Sequence, residues 1–287
     1  MKLAAVMMVR DEETILATNL NYHRSLGVSE FWVVDNGSED RTTEILEHQN
    51  RLHGDVHWHT DPGRYLQSEI TTGAASEAIA EGADWIVAID ADEFWWLAQG
   101  SLPTLLSDTR DAGGLLCRVD NFVQRRSVKQ ERPDSLWMMT YRAEPRGTEE
   151  DARQLVESGE IGFVEIKYPS KLILRASADL IIGTGNHTAK NTAGPIEETE
   201  EVRVLHAPIR ARSTLARRAE FGERIAAAYS SPNTGWHMRR TTQLAQEGRL
   251  NAEWAANSQR FGRLNLGGGS RPLVRDLRLR KAISAFL

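Results

Sequence analysis

Residues 85–96 read WIVAIDADEFWW, and the fold turns on this stretch. Trp85–Asp90 is almost continuously apolar, as a strand buried on both faces of a sheet must be. It ends in acid: Asp90, Asp92 and Glu93 come in quick succession, and Trp95 and Trp96 follow closely. The same pattern occurs twice upstream. Leu3–Val9 (LAAVMMV) runs into Arg10-Asp11-Glu12, and Phe31–Asp35 (FWVVD) runs into Asn36-Gly37-Ser38. Val56–His59 has shorter strand character.

Helical segments separate these runs. Asp11 stands where an N-cap would open a helix, Glu12 and Glu13 suit the positive end of its dipole, and Gly27 supplies the stop. Glu39–Gln49 and Tyr65–Glu81 read as the second and third helices. This βαβαβαβ alternation predicts an α/β fold with an open, mostly parallel central sheet flanked by helices. Ligands of such sheets bind in the crevice outside the carboxyl ends of the strands, so the three polar clusters are expected along one edge. Gly114–Val119, Ile161–Tyr168, Lys171–Arg175 and Val202–His206 are predicted as further strands, with an irregular charged excursion over 124–153. Ser213 is expected to cap a helix reaching about Tyr229. A second helix is expected over Trp236–Gly248, then a flexible Gly267–Ser270 linker and a basic tail.

Composition narrows the functional classes. The 287 residues are 40% hydrophobic and 26% charged, which excludes a mainly disordered chain. No apolar run approaches the ~18–20 residues that span a bilayer. The opening MKLAAVMMVRDEE has too short an apolar run, followed by acids, to be read as a signal peptide. One cysteine, Cys117, forms no internal disulfide, and a reduced, cytoplasmic protein is expected. The net charge of −5 hides an asymmetry: residues 1–202 hold 19 Lys and Arg against 35 Asp and Glu, and residues 203–287 hold 16 against 5.

Asp90-x-Asp92 at a strand end suits Mg²⁺ or Mn²⁺, hard cations held by one or two carboxylates together with substrate phosphates. Asp35, ending the second strand, is placed to accept hydrogen bonds from a base or ribose. No Gly-x4-Gly-Lys or Gly-x-Gly-x-x-Gly loop is present, which disfavours P-loop kinases and ordinary NAD enzymes. His57 and His59 share a strand face near His53, a pattern compatible with a surface metal.

MVRDEETIL, NYHRSLGVSEFWVVDNGSEDRTTEIL and ADWIVAIDADEFWW together resemble family-2-type glycosyltransferases, in the branch with an Asp-x-Asp-Glu-Phe motif. The likeness covers the first ~97 residues in order and spacing. It implies the nucleotide-diphospho-sugar transferase (glycosyltransferase A-type) fold, a divalent metal (Mn²⁺ or Mg²⁺) and inversion at the anomeric carbon. By the same resemblance, Val9, Asp11, Glu12 and Asp35 line the nucleotide site. Asp90 lies nearer the ribose and Asp92 nearer the metal, with Glu93 beside them. Further on the match loosens to KLIL (Lys171–Leu174), GNH (Gly185–His187) and HAPIRARS (His206–Ser213). His206 is the expected third metal ligand, ahead of His187, and Arg210 with Arg212 is expected to neutralise the diphosphate.

The implied organisation is a catalytic domain over 1–212, with a nucleotide half (1–97) and an acceptor half (98–212), and a helical basic extension over 213–287. The implied function is metal-dependent sugar transfer from a nucleotide-diphosphate donor, a UDP-sugar favoured, to a glycan, lipid-linked or small-molecule acceptor, with no nucleic-acid partner. Asp120 is the candidate base, with Glu144 and Glu165 as others. A nucleotidyltransferase on a related fold and a non-catalytic carbohydrate-binding protein are the alternatives. Trp95, Trp96, Trp137 and Trp236 have the faces to stack on sugars. The 270–287 segment mixes Arg275, Arg278, Arg280 and Lys281 with Leu273, Leu277, Ile283 and Phe286. That composition suits an anionic membrane surface, docking on the protein's own body or an oligomer contact.

Overall fold

The computed structural model describes residues 1–287 apart from Arg110, Glu149, Pro232, Asn233 and Gly268. Its strands are β1 (Leu3–Val9), β2 (Glu30–Asp35), β3 (Val56–Thr60), β4 (Trp85–Ala88), β5 (Glu93–Leu97), β6 (Gly114–Asn121), β7 (Tyr141–Arg142), β8 (Lys171–Arg175), β9 (Ile181–Ile182), β10 (Ala189–Lys190), β11 (Ile196–His206), β12 (Arg263–Leu266), β13 (Gly269–Pro272) and β14 (Val274–Arg275). The helices are α1 (Leu16–Ser25), α2 (Thr42–His53), α3 (Gln67–Ala80), α4 (Leu102–Asp108), α5 (Ala152–Glu157), α6 (Arg212–Ala228), α7 (Trp236–Gln246), α8 (Leu250–Ala256) and α9 (Arg278–Ile283).

The chain forms two compact units. The first comprises residues 1–119, 169–204 and Phe286; the second comprises 120–168, 205–285 and Leu287. This division does not follow a cut at 212, because the chain leaves the first unit after β6 begins and returns to it before β8.

The first unit is built on an eight-stranded sheet of order β3-β2-β1-β4-β8-β6-β11-β5. β3, β2, β1 and β4 are parallel, as the strand–helix alternation predicts. β8 then pairs antiparallel with both β4 and β6. β1 and β4 are nearly all buried, which explains their continuous apolar runs. One core cluster packs Ala74, Ala75 and Ala78 of α3 against Val6, Ile86 and Leu174, small residues letting the helix lie close to the sheet.

The second unit has its own core, in which Trp254, Phe163, Ile209, Leu215 and Leu264 come together. α6, α7 and α8 supply most of the expected helical portion and α9 adds a short helix near the end, but the segment between α8 and α9 carries β12, β13 and β14. Gly268 of the expected linker lies outside the described residues; β12 and β13 on either side pair antiparallel, Leu266 opposite Gly269. β14 pairs with β7. Leu279 and Ile283 of α9 are fully buried, so the apolar side of the basic tail faces protein. Ile161–Tyr168 is not a strand but a loop around a 3₁₀ turn at Phe163–Glu165. Ser213 does not cap α6: the N-cap is Ala211, whose N–H donates to Thr214 Oγ1 (3.0 Å), while Ser213 Oγ accepts from Glu131 N–H (3.0 Å). No helix among the described residues is long and apolar enough to cross a membrane.

Candidate functional site

Parallel pairing brings the acidic strand ends of the first unit to one edge. Val9 is in register with Asp35, and Asn36 N–H donates to Val9 O (2.8 Å). β4 leaves its ladder earlier, Ile89 N–H donating to Val6 O (3.0 Å), so Asp90 and Asp92 emerge beside the end of β1.

The loops after β1 and β2 are stitched together by their own acids. Asp35 is buried and accepts Ser38 N–H (3.1 Å) and the Ser38 hydroxyl. Ser38 Oγ in turn accepts Asp11 N–H (3.0 Å), and Asp11 Oδ1 accepts Glu39 N–H (2.7 Å). Asp11 therefore does not cap α1, which starts only at Leu16; it sits at φ 53°, a left-handed conformation Asp tolerates better than most residues. Glu12 N–H donates to Thr42 Oγ1 (2.8 Å), and Arg10 donates to Asn36 O (2.7 Å). Gly37, at φ 77°, lies so near Arg10 and Pro62 that an added Cβ would sit 3.2 Å from each. Val9 is buried beneath this edge.

The Asp-x-Asp segment is held from two sides. On one side is Lys171, the first residue of β8, whose ammonium is buried. Its three donors meet Asp90 Oδ2 (2.7 Å), Glu93 Oε1 (2.8 Å) and Gly185 O (2.8 Å), which satisfies it fully. Burial alone would lower the Lys171 pKa; the Asp90 and Glu93 carboxylates outweigh that and hold it above the ordinary lysine range. Burial raises Glu93 to about 8, Lys171 opposing and Asp90 and Asp92 adding to the rise. Asp90 Oδ1 accepts from Asn186 Nδ2 (3.2 Å) and more distantly from Gln67 Nε2 (3.4 Å). Asp92 is half-buried.

On the other side, α1 grips the residues after the motif. Asn19 Nδ2 donates to Ala91 O (2.9 Å) and Glu93 O (2.8 Å), and the Tyr22 hydroxyl donates to Trp95 O (2.6 Å). Fully buried His23 presents Nε2 to Trp95 N–H (3.2 Å) and Nδ1 to Asn19 O (2.9 Å). One nitrogen must accept and the other donate, which fixes a neutral imidazole; burial lowers its pKa to about 4, partly offset by the Asn19 carbonyl. The Tyr-His block and the Asp-x-Asp block thus belong to one assembly. Trp95 is core, not surface.

In the second unit, His206 ends β11, buried, with Nδ1 2.8 Å from Asn121 Oδ1 and its ring 4.6 Å from that of Tyr168. Asp120 accepts from Arg278 (2.6 Å), which also binds Asp276. Arg210 departs from the role expected of it: its side chain is only 3% exposed and is committed to Glu131, which Arg217 also reaches. Arg212 donates to Asn251 (3.1 Å). Glu144 pairs with Arg142 (2.8 Å), and buried Glu165 with Arg271 (3.1 Å) and Arg146 (3.4 Å). Trp137 is 46% exposed beneath Arg280. Trp236 packs against the unit's core.

Among the described residues, no three His, Cys, Asp or Glu side chains gather into a metal cage. Within the first unit the His53, His57 and His59 group does not form one; His57 instead stacks on Trp32 (4.4 Å). The donor set at Asp90 and Asp92 is all oxygen and fits a hard cation only in the mode where substrate phosphates complete the shell.

No protein-family model matches the chain. A glycosyltransferase family 92 protein from Ricinus communis is 28% identical to it over 120 residues, which is 39% of this chain. The chain matches only 21% of that protein's length. Among solved structures, S. aureus TarS 1–349 in complex with UDP-GlcNAc is similar over 89% of this chain and 79% of its own, at 14% identity and a TM-score of 0.45. Mannosyltransferase PcManGT from Pyrobaculum calidifontis, in complex with GDP-Man and Mn²⁺, is similar over 89% and 73%, at 16% identity and a TM-score of 0.41.

Proposed function

We propose that this chain is a glycosyltransferase that moves a sugar from a nucleotide-diphosphate donor, with inversion at the anomeric carbon. The observation that carries the reading is the single sheet edge holding Asp11, Asp35, Asp90 and Asp92, in strand ends whose sequences resemble those of family-2-type enzymes. The family 92 relative supports the same reaction class.

In this reading the buried Asp35 and the Asp11–Ser38 loop form a rigid seat for the nucleoside beside Val9 and Glu12. Asp92, with Asp90, would hold Mn²⁺ or Mg²⁺, which supplies charge neutralisation of the departing diphosphate when bound. Lys171 binds the Asp90 carboxylate and fixes its rotamer, and Asn19, Tyr22 and His23 fix the backbone on which both aspartates ride. Such positioning matters because misplacement of a reacting group by ~1 Å costs on the order of 10²-fold in rate. His206 is our further candidate ligand and Asp120 our candidate base for the acceptor hydroxyl. Arg210 acts by holding Glu131, not by meeting phosphate directly.

The test is thermal shift of the full chain with UDP and GDP, with and without Mn²⁺, together with nucleotide release from the matching donors. Mn²⁺-dependent stabilisation by a nucleoside diphosphate, lost in Asp92→Asn, is expected. If Asp92→Asn retained both that stabilisation and donor turnover, the metal assignment would fail. If no nucleotide stabilised the parent protein and no donor turned over, the sugar-transfer reading would fail.

A further inference from the structure

The second unit contains a cleft of about 650 Å³ that the donor reading does not use. Its walls are the segments 125–129 and 259–262 with Tyr141 between them. Main-chain bonds join the walls: Arg126 N–H donates to Gln259 O (2.9 Å), and Gln259 N–H to Gln124 O (2.8 Å). The cleft is therefore a built feature and not a gap between loose loops.

Its lining is one-signed. Arg125, Arg126, Lys129 and Arg260 line it, and among the described residues no Asp or Glu does. Arg126 is spent on structure, donating to Ser258 O (3.2 Å) and Ala255 O. Arg125, Lys129 and Arg260 are exposed and form no ion pair among the described residues. The charges bear on one another: burial and then the Arg260 charge lower the Arg126 pKa, and Arg280 is lowered by burial and then by Arg125 and Arg275. A pocket that concentrates uncompensated cations raises the local concentration of anions. At its lip Phe261 is 98% exposed in a left-handed conformation (φ 53°), which non-glycine residues seldom adopt and which holds the ring out into solvent.

We propose that this cleft binds a phosphate ester, with Arg125 and Arg260 as its principal contacts. Guanidinium groups meet phosphate oxygens through paired, charge-assisted hydrogen bonds, and a phosphate fits a site lacking carboxylates. The same chemistry is offered by a soluble phosphorylated compound and by a phospholipid headgroup, and Phe261 separates the two: only an interface gives the ring apolar surroundings. The site lies wholly within the second unit and stands without the nucleotide-sugar reading.

The experiment titrates the full chain at low ionic strength with glycerol phosphate by calorimetry, and sediments it with phosphatidylcholine vesicles with and without phosphatidic acid. Saturable glycerol phosphate binding is expected, weakened about tenfold or more in Arg125→Ala/Arg260→Ala and unchanged in Asp92→Asn. Binding to phosphatidic acid vesicles that falls in Phe261→Ala, with glycerol phosphate binding intact, identifies a headgroup as the source. Glycerol phosphate binding without vesicle binding identifies a soluble ester. Failure of both probes to bind the parent protein, or binding unchanged in the doubly substituted chain with native circular dichroism, overturns the proposal.

Discussion

His23 makes the stability of the first unit depend on pH in a way that the structure quantifies. Its Nε2 accepts the Trp95 N–H and its Nδ1 donates to Asn19 O, so protonation breaks the bond that fixes β5. The folded pKa is about 4 against 6.5 for a free imidazole. Between these values the unfolded chain takes up a proton that the folded chain refuses, so this contribution to stability is present above 6.5 and is lost as pH falls toward 4. Linkage over that interval gives about 2 kcal/mol between roughly pH 7.5 and 5, and ~3 kcal/mol once both states are protonated. The assay is urea unfolding across that range for the parent protein and for His23→Gln, which removes the titration but keeps an acceptor for Trp95. The parent is expected to lose about 2 kcal/mol more than the variant on acidification. NMR titration of the imidazole gives the folded pKa independently of how well the variant folds. Equal pH slopes, or a His23 resonance titrating near 6.5, would refute the reasoning.

Three further outcomes are expected. Lys171→Met leaves the Asp90 and Glu93 carboxylates without their buried cation and should cost ~3–5 kcal/mol in chemical denaturation. Gly185→Ala places a Cβ 2.6 Å from the His187 ring at φ 77° and should cost about 1–3 kcal/mol, moving Gly185 O off the Lys171 ammonium. Leu279→Ala, in the tail helix, should lower stability by ~2–5 kcal/mol in urea unfolding, because that side chain is fully buried.

Much of the first unit is legible in its sequence because β1, β2 and β4 each announce themselves twice, by a run of apolar residues and by the polar residues at the strand end. The site acids follow from the same signal. Lys171 is less legible: its place beside Asp90 depends on β8 inserting antiparallel between β4 and β6, a pairing of segments distant in the chain. Asn19, Tyr22 and His23 look like ordinary polar positions of an amphipathic helix, and only the path of β5 beneath them reveals their task. Asp11 misleads because an acid before a helical stretch suggests a cap, while its carboxylate binds the neighbouring loop. Arg210 misleads for a related reason. Nothing near it in sequence marks Glu131, which lies in the irregular excursion and neutralises it. The basic tail carried an ambiguous pattern, since apolar residues spaced among arginines suit a lipid surface and a protein surface equally.

The strand order also imposes a schedule on synthesis. β5 is the aromatic run directly after the Asp-x-Asp motif, and its sheet neighbour, β11, emerges from the ribosome about a hundred residues later. Until then its backbone edge is open and its ring surfaces are sticky, the combination that promotes pairing with the wrong chain. α1 precedes β5 and carries the side chains that bind its carbonyls and amide. The nascent chain therefore brings its own placeholder, occupying part of the strand before its proper partner exists. A residue such as Asn19 thus serves a newborn polypeptide as well as a finished one, and damage there would surface first as poor yield during expression.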